Sequence, residues 1–272
     1  NRASSQPGRT PAGVIAAVRD FCIEVLEIVA PFVPAVKPQA AFFEALGVGG
    51  WDAFAAICGK ARELGLLVIA DAKRGDIGST AAAYATAHFE HVGADALTVN
   101  AYLGLDTLEP FLGHCRTAGK GIYVLVRPSN PGARDLQDLD VGGEPLYRAL
   151  AARLAALGEA FRGETGWSSV GAVTGATYPR ELVELRAAMP HVPLLVPGYG
   201  AQGGTAADCA AAFDAVGGGA VINSSRGITF AFAAGEHAER FGDARWRESV
   251  EAAVIDMRDA LEAARTSHSH PA

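Results

Sequence analysis

The sequence has no C-x-x-C pair: its four cysteines, Cys22, Cys58, Cys115 and Cys209, are scattered singly along 272 residues. No His-x-x-x-His stands near any of them, which excludes a zinc site of the usual spacing. They read as ordinary, partly buried thiols, a usage suited to a reducing, cytoplasmic setting. An excess of basic charge is also missing, since 23 Lys and Arg face 30 Asp and Glu for a net charge of −7. That argues against a protein that coats nucleic acid or an anionic membrane, yet leaves room for a small, locally positive pocket. Long apolar runs are absent too. The longest charge-free stretch, Ala187 to Ala207, is broken by Pro190, Pro193 and Pro197 and then by four glycines, so it reads as a strand and a tight loop rather than a membrane span. No signal-peptide pattern is visible.

What is present is a regular alternation. Short β-branched runs at 34–38, 66–72, 95–101, 121–126, 169–175, 193–197 and 219–223 are each followed by a helical pattern, and a further amphipathic helix at 14–30 precedes them all. Near-continuous apolar strands alternating with helices indicate a parallel sheet covered by helices. Two α/β architectures fit, an open doubly wound sheet and a (β/α)8 TIM barrel. In both, the polar and Gly-rich residues that follow the strands gather at the carboxyl-terminal face. A leading helix without its strand favours the barrel, with its first strand lying before Asn1. The expected organisation is one barrel domain over 1–272, with a loop-like start at 1–12 and a frayed polar tail, "TSHSHPA", at 266–272 whose two histidines are too few for a metal site.

The stretch "VIADAKRGDIGST" places Asp71, Lys73, Arg74 and Asp76 directly after a run that must be buried. Residues two apart on a strand share a face, so Asp71 and Lys73 should project together. Asp76 falls where the chain turns towards a helix, pointing either away from its own site or towards a neighbouring subunit. A lysine among carboxylates is held as the ammonium, which suits a proton donor better than a Schiff-base nucleophile. A solvated strand-end ion pair would explain this segment alone equally well. Lys37 changes the balance, because it ends the preceding strand and would flank Asp71. An alternating Lys-Asp-Lys-Asp set in a water-poor site can stabilise a developing anion. At ~4 Å each neighbouring charge contributes about 4 kcal/mol at an effective dielectric of ~20.

The last two strands supply an anion cradle. "PGYGAQGG" (197–204) and "NSSRG" (223–227) follow them, and such loops with a following helix are the usual phosphate site of a barrel. Gln202 can donate an amide hydrogen bond and Arg226 can hold phosphate bidentately. "RPSNPGA" (127–133) offers Ser129 or Asn130 to a ligand edge and opens a long loop that could act as a lid. Thr98, Asn100 and Tyr199 are open between ligand contact and packing.

Taken in order, "VKPQAAFFE", "DAKRGDIGST", "PSNPG", "VPGYGAQGG" and "SSRG" resemble the orotidine 5′-phosphate decarboxylase family, most closely its bacterial, mycobacterial-like type 2 branch, over about Pro34 to Gly227. The resemblance implies a (β/α)8 barrel, a homodimer with shared active sites, no metal and no cofactor, and conversion of orotidine 5′-phosphate (OMP) to UMP in pyrimidine biosynthesis. Carried over by motif, Lys73 would protonate C6 of the pyrimidine, Asp71 would lie beside the departing carboxylate, and Lys37 would orient Asp71 and touch the ribose. Asp76 would enter the partner's site, with Ile77 and Thr80 nearby. Ser129 would contact the base, while Gln202 and Arg226, with Pro197, Gly198 and Ser225 around them, would bind the phosphate. The family's "GLDP"-type strand-one Asp has no counterpart before Val14. Two rivals stand beside this reading: a magnesium-dependent sugar-phosphate decarboxylase or aldolase with the same D-x-K-x-x-D, and a non-catalytic nucleotide-phosphate-binding barrel. The magnesium enzymes need an acid near the position of Lys37, which would instead repel the metal.

Overall fold

The computed structural model describes residues 10–269. Helix α1 (Pro11–Val29) opens the chain, with Thr10 accepting from the Gly13 amide (3.2 Å) as its cap. There follow β1 (Ala35–Val36), α2 (Ala40–Glu44), α3 (Val48–Glu63), β2 (Leu67–Arg74), α4 (Gly78–Thr86), β3 (Ala96–Val99), α5 (Glu109–Ala118) and β4 (Gly121–Arg127). A second half repeats the pattern with α6 (Arg134–Gln137), α7 (Leu146–Glu159), β5 (Val170–Thr174), α8 (Pro179–Ala188), β6 (Leu194–Val196), α9 (Ala206–Ala210) and β7 (Ala220–Ile222). The chain closes with α10 (Arg226–Thr229), α11 (Glu236–Phe241) and α12 (Trp246–Ser269).

All seven strands are parallel and lie in sequence order, β1 to β7. The sheet is curled. Ile69, Val173 and Leu195 form one buried cluster with Ala35, Ala96, Tyr123, Leu125 and Val221 packed on it, so every strand contributes to a single interior. A flat sheet could not bring β1 and β7 side chains to one point, which rules out the open doubly wound alternative. Tyr123 fills this interior over Gly171, where an added Cβ would sit 2.5 Å from the ring, and burial pushes its phenol up to about 12. Outside the curl a larger apolar layer, from Phe54 and Ile57 of α3 to Leu182 and Leu185 of α8, joins helices to sheet. Each such side chain contributes roughly 1.5–3 kcal/mol on burial. Beyond the outer strands β1 and β7, α1 packs on α12 through Val25, Val29, Val250 and Val254.

Several boundaries differ from the sequence expectations. Helix α1 begins at Pro11, inside the stretch expected to be loop, and residues 1–9 lie outside the described residues. The expected frayed tail meets a helix that continues to Ser269, and 270–272 lie outside the described residues. The loop at 127–143 contains a 3₁₀ turn and the short α6. At the base of the sheet, Arg186 of α8 donates to four carbonyls, those of Met189, Val192 (2.8 Å), Ala212 (3.3 Å) and Gly219 (3.2 Å), and stacks on Trp167. That fork ties together the segments that lead into β6 and β7. Among the described residues, no helix is long and apolar enough to cross a membrane.

Candidate active site

The carboxyl ends of the strands surround a cavity of about 280 Å³, whose walls include Lys37, Asp71, Lys73 and Thr98 on one side and Gln202, Ser225 and Arg226 on the other. Leu125, Val173 and Leu195 form its apolar depth, and Ser129, Asn130, Pro197, Gly198 and Tyr199 complete the rim.

The charged side is built by strand register. β1 continues past Val36 in extended form: Gln39 bridges to Asp71, and the Asp71 amide donates to the Pro38 carbonyl (3.0 Å). Lys37 is thereby held beside Asp71, to which its Nζ donates at Oδ2. Lys73 Nζ donates to the other oxygen, Oδ1 (2.5 Å). One carboxylate thus carries an ammonium on each oxygen. Simple alternation along β2 accounts for only part of this. The β2–β3 register shifts between Ala70 and Arg74, and Lys73 sits at φ +50°, the only positive φ of a non-glycine residue among those described. Left-handed backbone costs an L-residue about 1–2 kcal/mol, so the neighbourhood must hold it there. Thr98 of β3 does so, its Oγ1 accepting from the amides of Ala72 (3.0 Å) and Lys73 (2.9 Å) while donating to Asp71 Oδ1 (3.0 Å).

Burial alone would raise the Asp71 carboxyl, but Lys37 and then Lys73 outweigh it and hold the group below its ordinary value. Burial pulls Lys37 below the usual amine range against the attraction of Asp71, and the like charge of Lys73 acts in the same direction as burial. The two lysines differ in reach. The Lys37 side chain is 13% exposed and that of Lys73 46%, so Lys73 is the ammonium a bound ligand can meet.

The opposite side is open and built from loops. Gly198, at φ +103°, lets the chain pass close to Ser129 and Gln202: a Cβ there would stand 3.2 Å from Ser129 Cβ and 3.3 Å from Gln202 Oε1. Gln202, Ser225 and Arg226 are all exposed. Among the described residues no carboxylate pairs with Arg226, whereas Lys37 and Lys73 share theirs. The rim at Ser129 and Asn130 is pinned from behind: Thr177 Oγ1 donates to the Ser129 carbonyl (3.0 Å) and Tyr178 OH to that of Asn130 (3.2 Å).

Asp76, Ile77 and Thr80 are not brought to this cavity. Asp76 Oδ1 accepts from the Ile77 amide (2.8 Å) at the start of α4, and Ile77 and Thr80 are exposed there. Three of the four charges expected to interleave therefore meet within one chain. Sequence reasoning missed Gln39 and Asn223, which also line the cavity. It also missed Arg127, a fully buried cation between the rings of Tyr147 (5.2 Å) and Tyr178 (4.2 Å), paired with Asp138 (2.9 Å). Arg127 fastens the 128–145 loop to the barrel wall. Its only signal was its place at the end of an apolar strand. Among the described residues, no group of three His, Cys, Asp or Glu is close enough to hold a metal.

A curled parallel β/α sheet with a buried ammonium–carboxylate floor facing an unpaired arginine defines a barrel-type enzyme acting on a small anionic substrate. The particular family is shown by sequence: residues 17–241 match the orotidine 5′-phosphate decarboxylase / HUMPS family, and the chain belongs to it. It is 50% identical over 255 residues to the orotidine 5′-phosphate decarboxylase of Rhodopirellula baltica, covering 91% of this chain and 84% of that protein. The Deinococcus radiodurans orotidine 5′-phosphate decarboxylase is 48% identical over 220 residues, 80% of this chain and 79% of that one. Among solved structures, Leishmania donovani OMP decarboxylase superposes with a TM-score of 0.77 at 35% identity, over 96% of this chain and 90% of the other.

Proposed function

We propose that this chain decarboxylates OMP to UMP, the carboxy-lyase step that completes a pyrimidine nucleotide, and that it does so in the cytoplasm without metal or cofactor. The observation that carries this reading is the single carboxylate of Asp71 clamped between Lys37 and Lys73, in a cavity whose far wall presents Gln202 and Arg226. With the phosphate on Gln202 and Arg226, beside Pro197, Gly198 and Ser225, and the base edge at Ser129, the pyrimidine C6 faces Lys73. Asp71 then lies beside the substrate carboxylate and disfavours it in the ground state. The C6–carboxylate bond breaks, CO₂ departs and the electron pair stays on C6. The Lys73 ammonium stabilises that carbanion and delivers its proton to C6; the resulting amine regains a proton from solvent. Lys37 keeps Asp71 ionised and in register, and reaches the ribose. Binding energy from the remote phosphate is spent at C6, and closure of the 128–145 loop over the bound nucleotide excludes water.

The same reading makes the protein a homodimer in which Asp76, with Ile77 and Thr80, completes the partner's site. The exposed apolar side chains of Ile77, Tyr102 and Leu103, in loops after the neighbouring strands β2 and β3, support it. It also places an eighth strand, bearing a ribose-binding Asp, between the outer strands β1 and β7. Purified, chelator-treated protein should consume OMP, followed by the fall in ultraviolet absorbance, and no turnover by an intact protein would overturn the assignment. Activity that requires added magnesium would favour the sugar-phosphate lyase instead, against which the ammonium of Lys37 already stands.

A further inference from the structure

The floor of the cavity depends on a side chain that no charge pattern marks. We infer that Thr98 is a positioning residue for the decarboxylation, fixing Asp71 and Lys73 relative to each other through its hydroxyl. The inference rests on the decarboxylase reading and deepens it. A hydroxyl has one donor and two acceptor lone pairs. Thr98 uses all three: it accepts from the Ala72 and Lys73 amides and donates to Asp71 Oδ1. Nothing remains for a ligand, so although Thr98 borders the cavity it acts through its neighbours.

Its three partners are the elements that make the floor unusual. The Lys73 amide belongs to the one non-glycine residue described in left-handed backbone, and the Ala72 amide lies within the same register shift. Asp71 Oδ1 is the oxygen that also receives Lys73 Nζ. Thr98 is thus attached at both ends of the Asp71–Lys73 pair, to the backbone of one and the carboxylate of the other. It is itself 1% exposed, on a strand whose next residue, Val99, pairs with Arg74 beyond the shift. Without the hydroxyl, two amides lose their acceptor, Lys73 is free to leave its strained conformation, and Asp71 can rotate away from the reacting carbon. A displacement of about 1 Å at a reacting group costs on the order of 100-fold in rate. The phosphate grip at Gln202 and Arg226 lies on the opposite wall and is untouched.

The test compares Thr98→Val, Thr98→Ser and, as a control, Thr174→Val, since the Thr174 hydroxyl is equally buried but has no hydrogen-bond partner among the described residues. Thr98→Val is expected to lower kcat about 100-fold, with KM for OMP and inhibition by UMP within about threefold of wild type. Thr98→Ser, which keeps the hydroxyl, should retain kcat within about fivefold, and Thr174→Val should match wild type. The inference is overturned if folded Thr98→Val keeps kcat, if its KM and UMP affinity collapse along with kcat, or if Thr98→Ser loses as much as the valine. Should Thr98→Val not fold, the serine variant decides: retained kcat supports the role and a hundredfold loss refutes it. Wild-type protein that does not convert OMP overturns the decarboxylase reading itself, and this inference with it.

Discussion

The two walls of the cavity solve opposite problems. On the Asp71 side every charge is already answered: both carboxylate oxygens hold an ammonium, and the carboxylate side chain is 9% exposed. On the Arg226 side the cation is exposed and has no carboxylate partner among the described residues, and the loops that present it are rich in glycine. The first wall is made of strand backbone, with Thr98 holding the strained backbone of Lys73 at the register shift. The second is made of loops after β6 and β7. On the proposed mechanism, the difference teaches where each kind of interaction is useful: fixed charge where a carbanion must be met in place, and an unsatisfied charge on a loop where a substrate must first be caught.

Substitutions can break this contrast. Lys73→Ala should have the largest effect, a fall in kcat of about 10⁴-fold with substrate still bound, because on the proposed mechanism it removes both the proton donor and the cation at C6. Steady-state kinetics beside UMP binding check it: a variant that keeps turnover would remove Lys73 from the proton-donor role, and a wild-type protein with no turnover to lose would be a simple binder. Arg226→Ala should show the mirror image. Loss of a charge-assisted hydrogen bond worth roughly 1.5–3 kcal/mol should raise KM by about 10- to 150-fold, and, because phosphate binding energy is spent at C6 in the proposed mechanism, kcat should fall too, though by less than in Lys73→Ala. If Arg226→Ala instead lowered kcat alone, the division of labour between the walls would be wrong.

Acid should separate the site from its scaffold. His88, packed against Trp51 with Arg74 nearby, is pushed down to about 4, first by burial and then by that arginine. It is neutral in the fold and binds its proton more readily once unfolded. Stability should therefore fall as pH drops from about 6.5 to about 4, by roughly 3 kcal/mol in total, and then level off for this group. His88→Phe should flatten that part of a urea-denaturation profile. Asp71, depressed by its two lysines, holds its contribution above the usual carboxylate range and loses it only as pH falls through its lowered value. The smallest effect is expected from salt. Raising ionic strength from about 0.05 to 0.5 M should increase KM a fewfold by screening exposed Arg226, and change kcat less, because Lys37 and Asp71 are shielded from solvent.

Much of this was legible in the sequence, for physical reasons. Parallel strands buried on both faces must be apolar throughout, so seven β/α units stood out, and strand ends had to carry Lys37, Asp71 and Lys73 to one face. The curl of the sheet was less visible, because it depends on interior side chains such as Tyr123 over Gly171 meeting across the barrel. The register shift at Ala70–Arg74 was invisible, since alternation alone already set Asp71 beside Lys73 and gave no hint that Lys73 occupies left-handed backbone. Thr98 was left open between ligand contact and packing, with no hint of a positioning role, and Arg127 looked like the first polar residue of a loop. Thr98 acts through partners 25 to 27 residues away, Lys73, Ala72 and Asp71, and Arg127 through Asp138, 11 residues away, distances that no local pattern encodes.

The fork of Arg186 gives the two strands behind the Gln202–Arg226 wall a common foundation. Its carbonyl partners lie in the segments that feed β6 and β7, while the far ends of those strands lead to Gln202 and Arg226. If Gln202 and Arg226 hold the nucleotide phosphate as proposed, its affinity is exposed to drift at a position on the opposite end of the barrel, and a protein engineer seeking to retune it has a handle there that never touches the ligand.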